Sequence, residues 1–182
     1  MDASNVSAAK PAVNGAAYSA PAGTTLPTDA TTALSGTFTS LGYLTEDGLV
    51  NADSISAEEL KAWGGDVVYN LQTSHTDHFT FTMMEAANPD VLKEYHGDSN
   101  VSGTLAAGIT VTANAKDKVE KVWVFDMVLK GGILKRVVVP CGTVAETGDV
   151  TYTDSGVITY QVTLYTRPDS AGNTHYEYII KP

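Results

Sequence analysis

The sequence predicts a mainly β protein: a single-domain β-sandwich or barrel with one flanking α-helix, an extended N-terminal arm and a long inter-strand loop. Three observations carry this. The 182 residues are 43% hydrophobic and only 18% charged, enough apolar matter for one core at a length where one domain is the default. The chain holds 23 Thr and 19 Val, whose branching at Cβ suits a pleated surface. One stretch alternates cleanly, with Phe79, Phe81 and Met83 on one side and His78, Thr80 and Thr82 on the other, the pattern of a half-buried strand.

Residues 1–36 are dominated by Ala, Ser, Thr, Pro and Gly, with Tyr18, Leu26 and Leu34 as isolated apolar points. Such a stretch buries too little to offset its ordering entropy, so it reads as an arm ahead of a β domain at 37–182. Strands are expected at 37–44, 66–72, 75–86, 157–166 and 175–180. Residues 45–65 make a long loop, the kind that is usually functional, with a helical turn at 56–62 suggested by Ser56 and Glu59 in capping-box spacing. Asn88-Pro89-Asp90 starts a helix, with Asn88 as cap and Pro89 at the first position, and Gly97 closes it. Residues 119–130 and 133–140 flank Gly131-Gly132, which predicts a hairpin with a two-residue loop. That loop sets Leu129 opposite Leu134 and Phe125 opposite Val138, with Lys135 diagonal to Asp126. Both faces of this hairpin are apolar, so both are expected to be covered.

The formal net charge is −10 and the pI near 4.6. A surface that grips phosphates needs clustered Lys and Arg, so nucleic-acid binding is disfavoured, while passage of nucleic acid without sticking is not. The lone Cys141 forms no internal disulfide, so the fold needs no oxidising compartment. No segment has the roughly 20 apolar residues of a membrane span, and the N-terminus does not read as a signal peptide. Nucleophile-elbow, zinc-protease, phosphate-loop and dinucleotide motifs are all missing. His75 and His78 diverge on a strand, and Glu46-Asp47 and Glu58-Glu59 are adjacent acids of a solvated surface. The expectation is no enzyme, no cofactor and no metal.

A family resemblance adds a function. It is carried by Tyr18-Ser19-Ala20-Pro21-Ala22-Gly23-Thr24-Thr25-Leu26-Pro27-Thr28-Asp29, then Ala33-Leu34-Ser35-Gly36, then Leu41-Gly42-Tyr43-Leu44-Thr45-Glu46-Asp47-Gly48-Leu49. Glu59-Leu60-Lys61-Ala62-Trp63-Gly64-Gly65, Phe79-Thr80-Phe81-Thr82-Met83-Met84-Glu85 and Asn88-Pro89-Asp90-Val91-Leu92 follow. In this order the segments resemble the major tail tube proteins of long, non-contractile-tailed bacteriophages. The likeness covers about the first hundred residues; beyond Gly97 it rests on strand pattern.

The resemblance implies a structural virion protein whose hexameric rings stack into a hollow acidic conduit for genome delivery. It implies self-association as the main partnership, with tail tip, terminator and tape-measure proteins beside it. Double-stranded DNA passes without specific binding, and no membrane is involved. The place of action is the virion tail, after synthesis and assembly in the host bacterial cytoplasm. Within that frame Leu26, Pro27 and Leu34 are expected to dock the arm. Leu49, Ile55, Leu60 and Trp63 are expected at contacts between rings, with ordinary core packing as the other reading of Trp63. Asp77, Asp149 and Asp154, acids without a basic neighbour in sequence, are candidates for the channel. The rival readings are a head-decoration protein or a carbohydrate-binding domain, the latter needing an aromatic platform such as Tyr160, Tyr165, Tyr176 and Tyr178.

Overall fold

The computed structural model describes residues 5–13 and 15–182. In chain order the elements are β1 (Ala9–Pro11), β2 (Ala17–Pro21), β3 (Thr39–Ser40), β4 (Leu44–Lys61), β5 (Val67–Met83) and helix α1 (Pro89–His96). A 3-10 turn (Asp98–Asn100), β6 (Val101–Thr104), β7 (Gly108–Val111), β8 (Lys121–Leu129), β9 (Leu134–Thr147), β10 (Tyr160–Thr166) and β11 (Tyr176–Ile180) follow. Among the described residues the protein is mainly β with a single α-helix. The main sheet runs β3-β2-β8-β9-β10-β5-β4, with β1 added to β8 and β11 to β9, while β6 and β7 pair separately. Among the described residues no ladder joins β3 to β4, so the sheet stays open rather than closing into a barrel.

Strand β9 makes this one sheet into a sandwich. Its first half pairs with β8 and β11, and its second half pairs with β10. A strand that serves two layers through a bend is the usual corner of such a packing. The layers then meet face to face. Phe79 and Phe81 of β5 touch Phe125 and Trp123 of β8, with ring centroids 5.2–6.0 Å apart, although two strands separate β5 from β8 along the sheet. Val137, Val139, Val162 and Leu164 belong to the same core, and Val91 and Leu92 of α1 join it from one side.

The corner has a local cause. Trp123 pairs with Val139 but Lys121 pairs with Gly142, so β9 carries one extra residue there. Pro140, which has no N–H to donate, falls inside this bulge, where a ladder bond is already missing. The indole Nε1 of Trp123 donates to the Gly142 carbonyl at 3.0 Å. A Cβ on Gly142 would lie 2.8 Å from Trp123 Cδ1 and 3.1 Å from a methyl of Val139. Both neighbours are fully buried and cannot retreat. Gly142→Ala is therefore expected to cost about 1–3 kcal/mol by overpacking, measured by urea unfolding.

The helix forms as its sequence signals require: the Asn88 side chain accepts from Asp90 N at 3.0 Å, Pro89 opens the first turn and Gly97 ends it at φ 100°. Three local expectations are corrected. The hairpin of β8 and β9 pairs Leu129 N with Ile133 O and sets Phe125 opposite Val137, one residue away from the expected register. The connecting loop holds three residues, Lys130, Gly131 and Gly132. A one-residue slip exchanges partners along the whole ladder, so Val137 and Val139 join Phe125 and Trp123 in the core. The same slip puts Arg136, not Lys135, opposite Asp126. Residues 56–61 are strand, not helix, and 45–65 is not an irregular loop: most of it is β4, paired from Leu49 to Lys61 with an unbroken β5. A weak local capping signal loses to cross-strand pairing.

The first 36 residues are more closely built in than an arm implies. Residues 1–4 and 14 lie outside the described set. Both β1 and β2 lie along β8, and Ala17, Ser19 and Ala20 are buried. Val122, Val124 and Val138 point away from the central core and yet are 0–1% exposed. Residues 22–38 cross that side. The Arg136 guanidinium forks onto Asp126 (2.6 and 2.8 Å) and donates to the carbonyls of Asp29 and Thr32 (3.0 and 2.8 Å). Asp29 folds the crossing segment by accepting from the amides and hydroxyls of Thr31 and Thr32. Those hydrogen bonds hold its carboxyl well below the ordinary range.

Candidate assembly surface

Beyond the sandwich, β4 and β5 run on together as a two-stranded ribbon. Residues 50–76 are exposed without interruption. From residue 50 to the tip this is about 40 Å at ~3.3 Å per residue. Gly64 and Gly65, at φ 114° and 97°, turn the chain where a side chain would be strained, and Ala62 N donates to Asp66 O to close the turn.

The ribbon is not a plain polar hairpin. Leu60 stands directly opposite Tyr69, and Leu71 follows on the same side opposite Glu58. Val50, Ile55, Val67 and Val68 are also exposed, and Trp63 at the turn is bare of contacts at 106% exposure. Of the loop residues named from sequence, Ile55, Leu60 and Trp63 lie on the ribbon. Leu49 does not: it is half-buried at the root, packed on the core opposite Phe81. Val67, Val68, Tyr69 and Leu71 were missed because 66–72 reads as a strand destined for the core, and nothing local says that it leaves the body.

The root of the ribbon is fixed by charge. Asp77 of β5 is buried, which corrects its placement as a channel-lining acid. It accepts from Asn51 Nδ2 and pairs with His175 Nδ1, each at 2.6 Å. Burial alone would raise its carboxyl, but hydrogen bonds from Thr174, His175 and Asn51 and the charge of His175 outweigh that and lower it. Asp53 lies directly across from Asp77. Like charges so placed repel, and Asp53 takes its own partner, His75 Nε2, at 2.6 Å. A carboxyl with a depressed folded-state pKa contributes stability above its unfolded value and loses it as pH falls through the folded value. Asp77→Asn should therefore differ most from the parent protein near neutral pH. The gap in urea midpoint should close on acidification below about pH 4, the unfolded Asp value.

The other named residues do not converge on a chemical site. Leu26, Pro27 and Leu34 are half-buried in the segment that crosses β8 and β9, and Asp149 and Asp154 are exposed in the loop between β9 and β10. Glu94, Lys121, Asp98 and Ser19 form a tight cluster that fastens α1 to β8 and β2. Burial raises the Glu94 carboxyl despite Lys121 beside it. Tyr176 and Tyr178 stack at 6.4 Å, but Tyr160 is in the core and Tyr165 is on β10, so the four tyrosines make no common platform. Cys141 is half-buried and its thiol is pushed up by burial. Among the described residues no His, Cys, Asp or Glu cluster has the form of a metal site, and no helix is long and apolar enough to cross a membrane.

A family model described as phage tail tube protein matches residues 2–182. Among solved structures the chain is similar to the tube-terminating cap of the anti-feeding prophage, determined by cryo-EM. Identity is 8% and the TM-score 0.48, over 94% of this chain and 93% of that one. No curated protein matches.

Proposed function

The chain belongs to the phage tail tube protein family, a structural and not an enzymatic family, and from that premise we propose that it forms hexameric rings stacked into a hollow acidic tube for genome delivery. The observation that carries this reading is the ribbon of β4 and β5. A lone two-stranded hairpin is at best marginally stable in water, and this one holds out Leu60, Tyr69, Leu71 and Trp63 uncovered. Burying each large apolar side chain is worth about 1.5–3 kcal/mol, so a neighbouring copy that covers the ribbon is strongly favoured. We assign Ile55, Leu60 and Trp63 to contacts between stacked rings.

Other features support assembly. The edges of β3, β4 and β11 are open, and strand edges are ready templates for a neighbouring copy. Leu26, Pro27 and Leu34 offer their exposed parts to an adjacent subunit. With a net charge of −10, the tube repels a polyanionic cargo, and no counterions are released by contact. Asp149 and Asp154 add to that field. Tail tip, terminator and tape-measure proteins are the partners at the ends and inside, and the protein works in the virion tail after assembly in the host cytoplasm. Negative-stain microscopy of the purified protein at high concentration tests this: uniform hollow tubes or rings are expected, and a particle that stays monomeric at every concentration would overturn it.

A further inference from the structure

The two outward sides of the sandwich are unlike. The side over β8 and the first half of β9 is already covered by residues 22–38, locked through Arg136. The opposite side, over β4, β5, β10 and the second half of β9, has no cover from the described residues. Its register gathers Thr82 beside Gln161, Thr80 beside Thr163, and His78 beside Tyr165, with Thr143 and Glu146 flanking them from β9. Thr80 and Thr163 hydroxyls bond each other at 3.0 Å, and the Tyr165 hydroxyl donates to Glu146 at 2.5 Å. No Lys or Arg stands among them. The nearest cation along the strand, Arg167, lies just past β10 and is clasped by both oxygens of Glu120 at 2.8 and 2.9 Å.

This composition decides between uses. A subunit interface needs apolar anchors at its centre, and on this face the large exposed apolar side chains are Tyr165 and, at the β4 margin opposite Thr80, Val50, with hydroxyls between them. A nucleic-acid binding face needs free cations, and here the neighbouring Arg167 is neutralised by Glu120. Hydroxyls that hydrate well, with Glu146 as the fixed charge, suit a surface that double-stranded DNA slides past. We propose that this hydroxyl-lined face of β5, β10 and the second half of β9 is the wall of the channel, turned inward toward DNA in transit. The proposal rests on the tube reading above and adds to it which face points inward.

The test uses assembled tubes of Thr163→Cys, and separately Thr80→Cys, each in a Cys141→Ser background. Free subunits and tubes are treated with N-ethylmaleimide or with a long polyethylene-glycol maleimide too bulky to enter the channel, and labelling is read by mass spectrometry. Free subunits should react with both reagents. Tubes should still react with the small reagent, while labelling by the bulky one falls to the few copies at tube ends. Unchanged labelling by the bulky reagent would put this face outside, and loss of labelling by both would put it in a contact between subunits. Either result overturns the assignment while leaving the tube intact. Absence of tubes in the micrograph of the unlabelled parent overturns the tube reading and the wall with it.

Discussion

Arg136→Met is expected to destabilise the protein by about 3–5 kcal/mol, the usual cost of breaking a buried ion pair from one side. The guanidinium is nearly fully buried and makes four hydrogen bonds, two to the Asp126 carboxylate and two to the carbonyls of Asp29 and Thr32. Its loss strands the Asp126 charge beneath residues 22–38 and releases the segment that covers Val122, Val124 and Val138. Urea unfolding should show the lower midpoint. Hydrogen exchange should show faster amides at Thr31 and Thr32, where the turn around Asp29 loses its anchor. The double variant Asp126→Leu with Arg136→Met should recover much of the loss, because removing both charges removes the desolvation cost. A single variant as stable as the parent would show that the crossing segment is held by packing alone.

Replacing Leu60 and Trp63 together by serine should leave the fold untouched and block assembly. Both residues are exposed on the ribbon, 43% and 106%, and surface substitutions away from special features change stability by less than about 0.5 kcal/mol. In an assembly that buries them, the two side chains together are worth about 3 kcal/mol or more. That raises the concentration needed for polymerisation roughly a hundredfold. Sedimentation against concentration would read the shift, with circular dichroism as the check on folding. Polymerisation at the parent's concentration would remove the ribbon from the contact.

The fold is legible in the sequence where its signals are local and not where it depends on distant partners. The helix was legible because its signals are local: Asn88, Pro89 and Gly97 sit within ten residues of one another and act on the adjacent turn. The alternation from 78 to 83 was legible for the same reason, since a two-residue period needs no partner to be seen. The register of β8 and β9 was not legible. Two glycines permit a two-residue or a three-residue loop equally well, and the choice moved Arg136 rather than Lys135 opposite Asp126. The strand at 56–61 is not legible because Ser56 and Glu59 imitate a helix start, whereas the strand forms only through pairing with β5. Asp77 was misplaced because its partner His175 is 98 residues away in the chain. The apolar points of the first 36 residues were visible. The pairing of residues 9–11 and 17–21 with β8 was not, because it depends on a strand edge about a hundred residues away.

Cryo-EM of the assembled protein bears most directly on the claim that the ribbon of β4 and β5 joins one ring to the next. The expected map has six copies in each ring, each ribbon seated against the adjacent ring with Trp63 and Leu60 covered, and the face of Thr80 and Thr163 turned toward an open axis. A map in which the ribbons extend freely into solvent, with rings stacked through other surfaces, would contradict it.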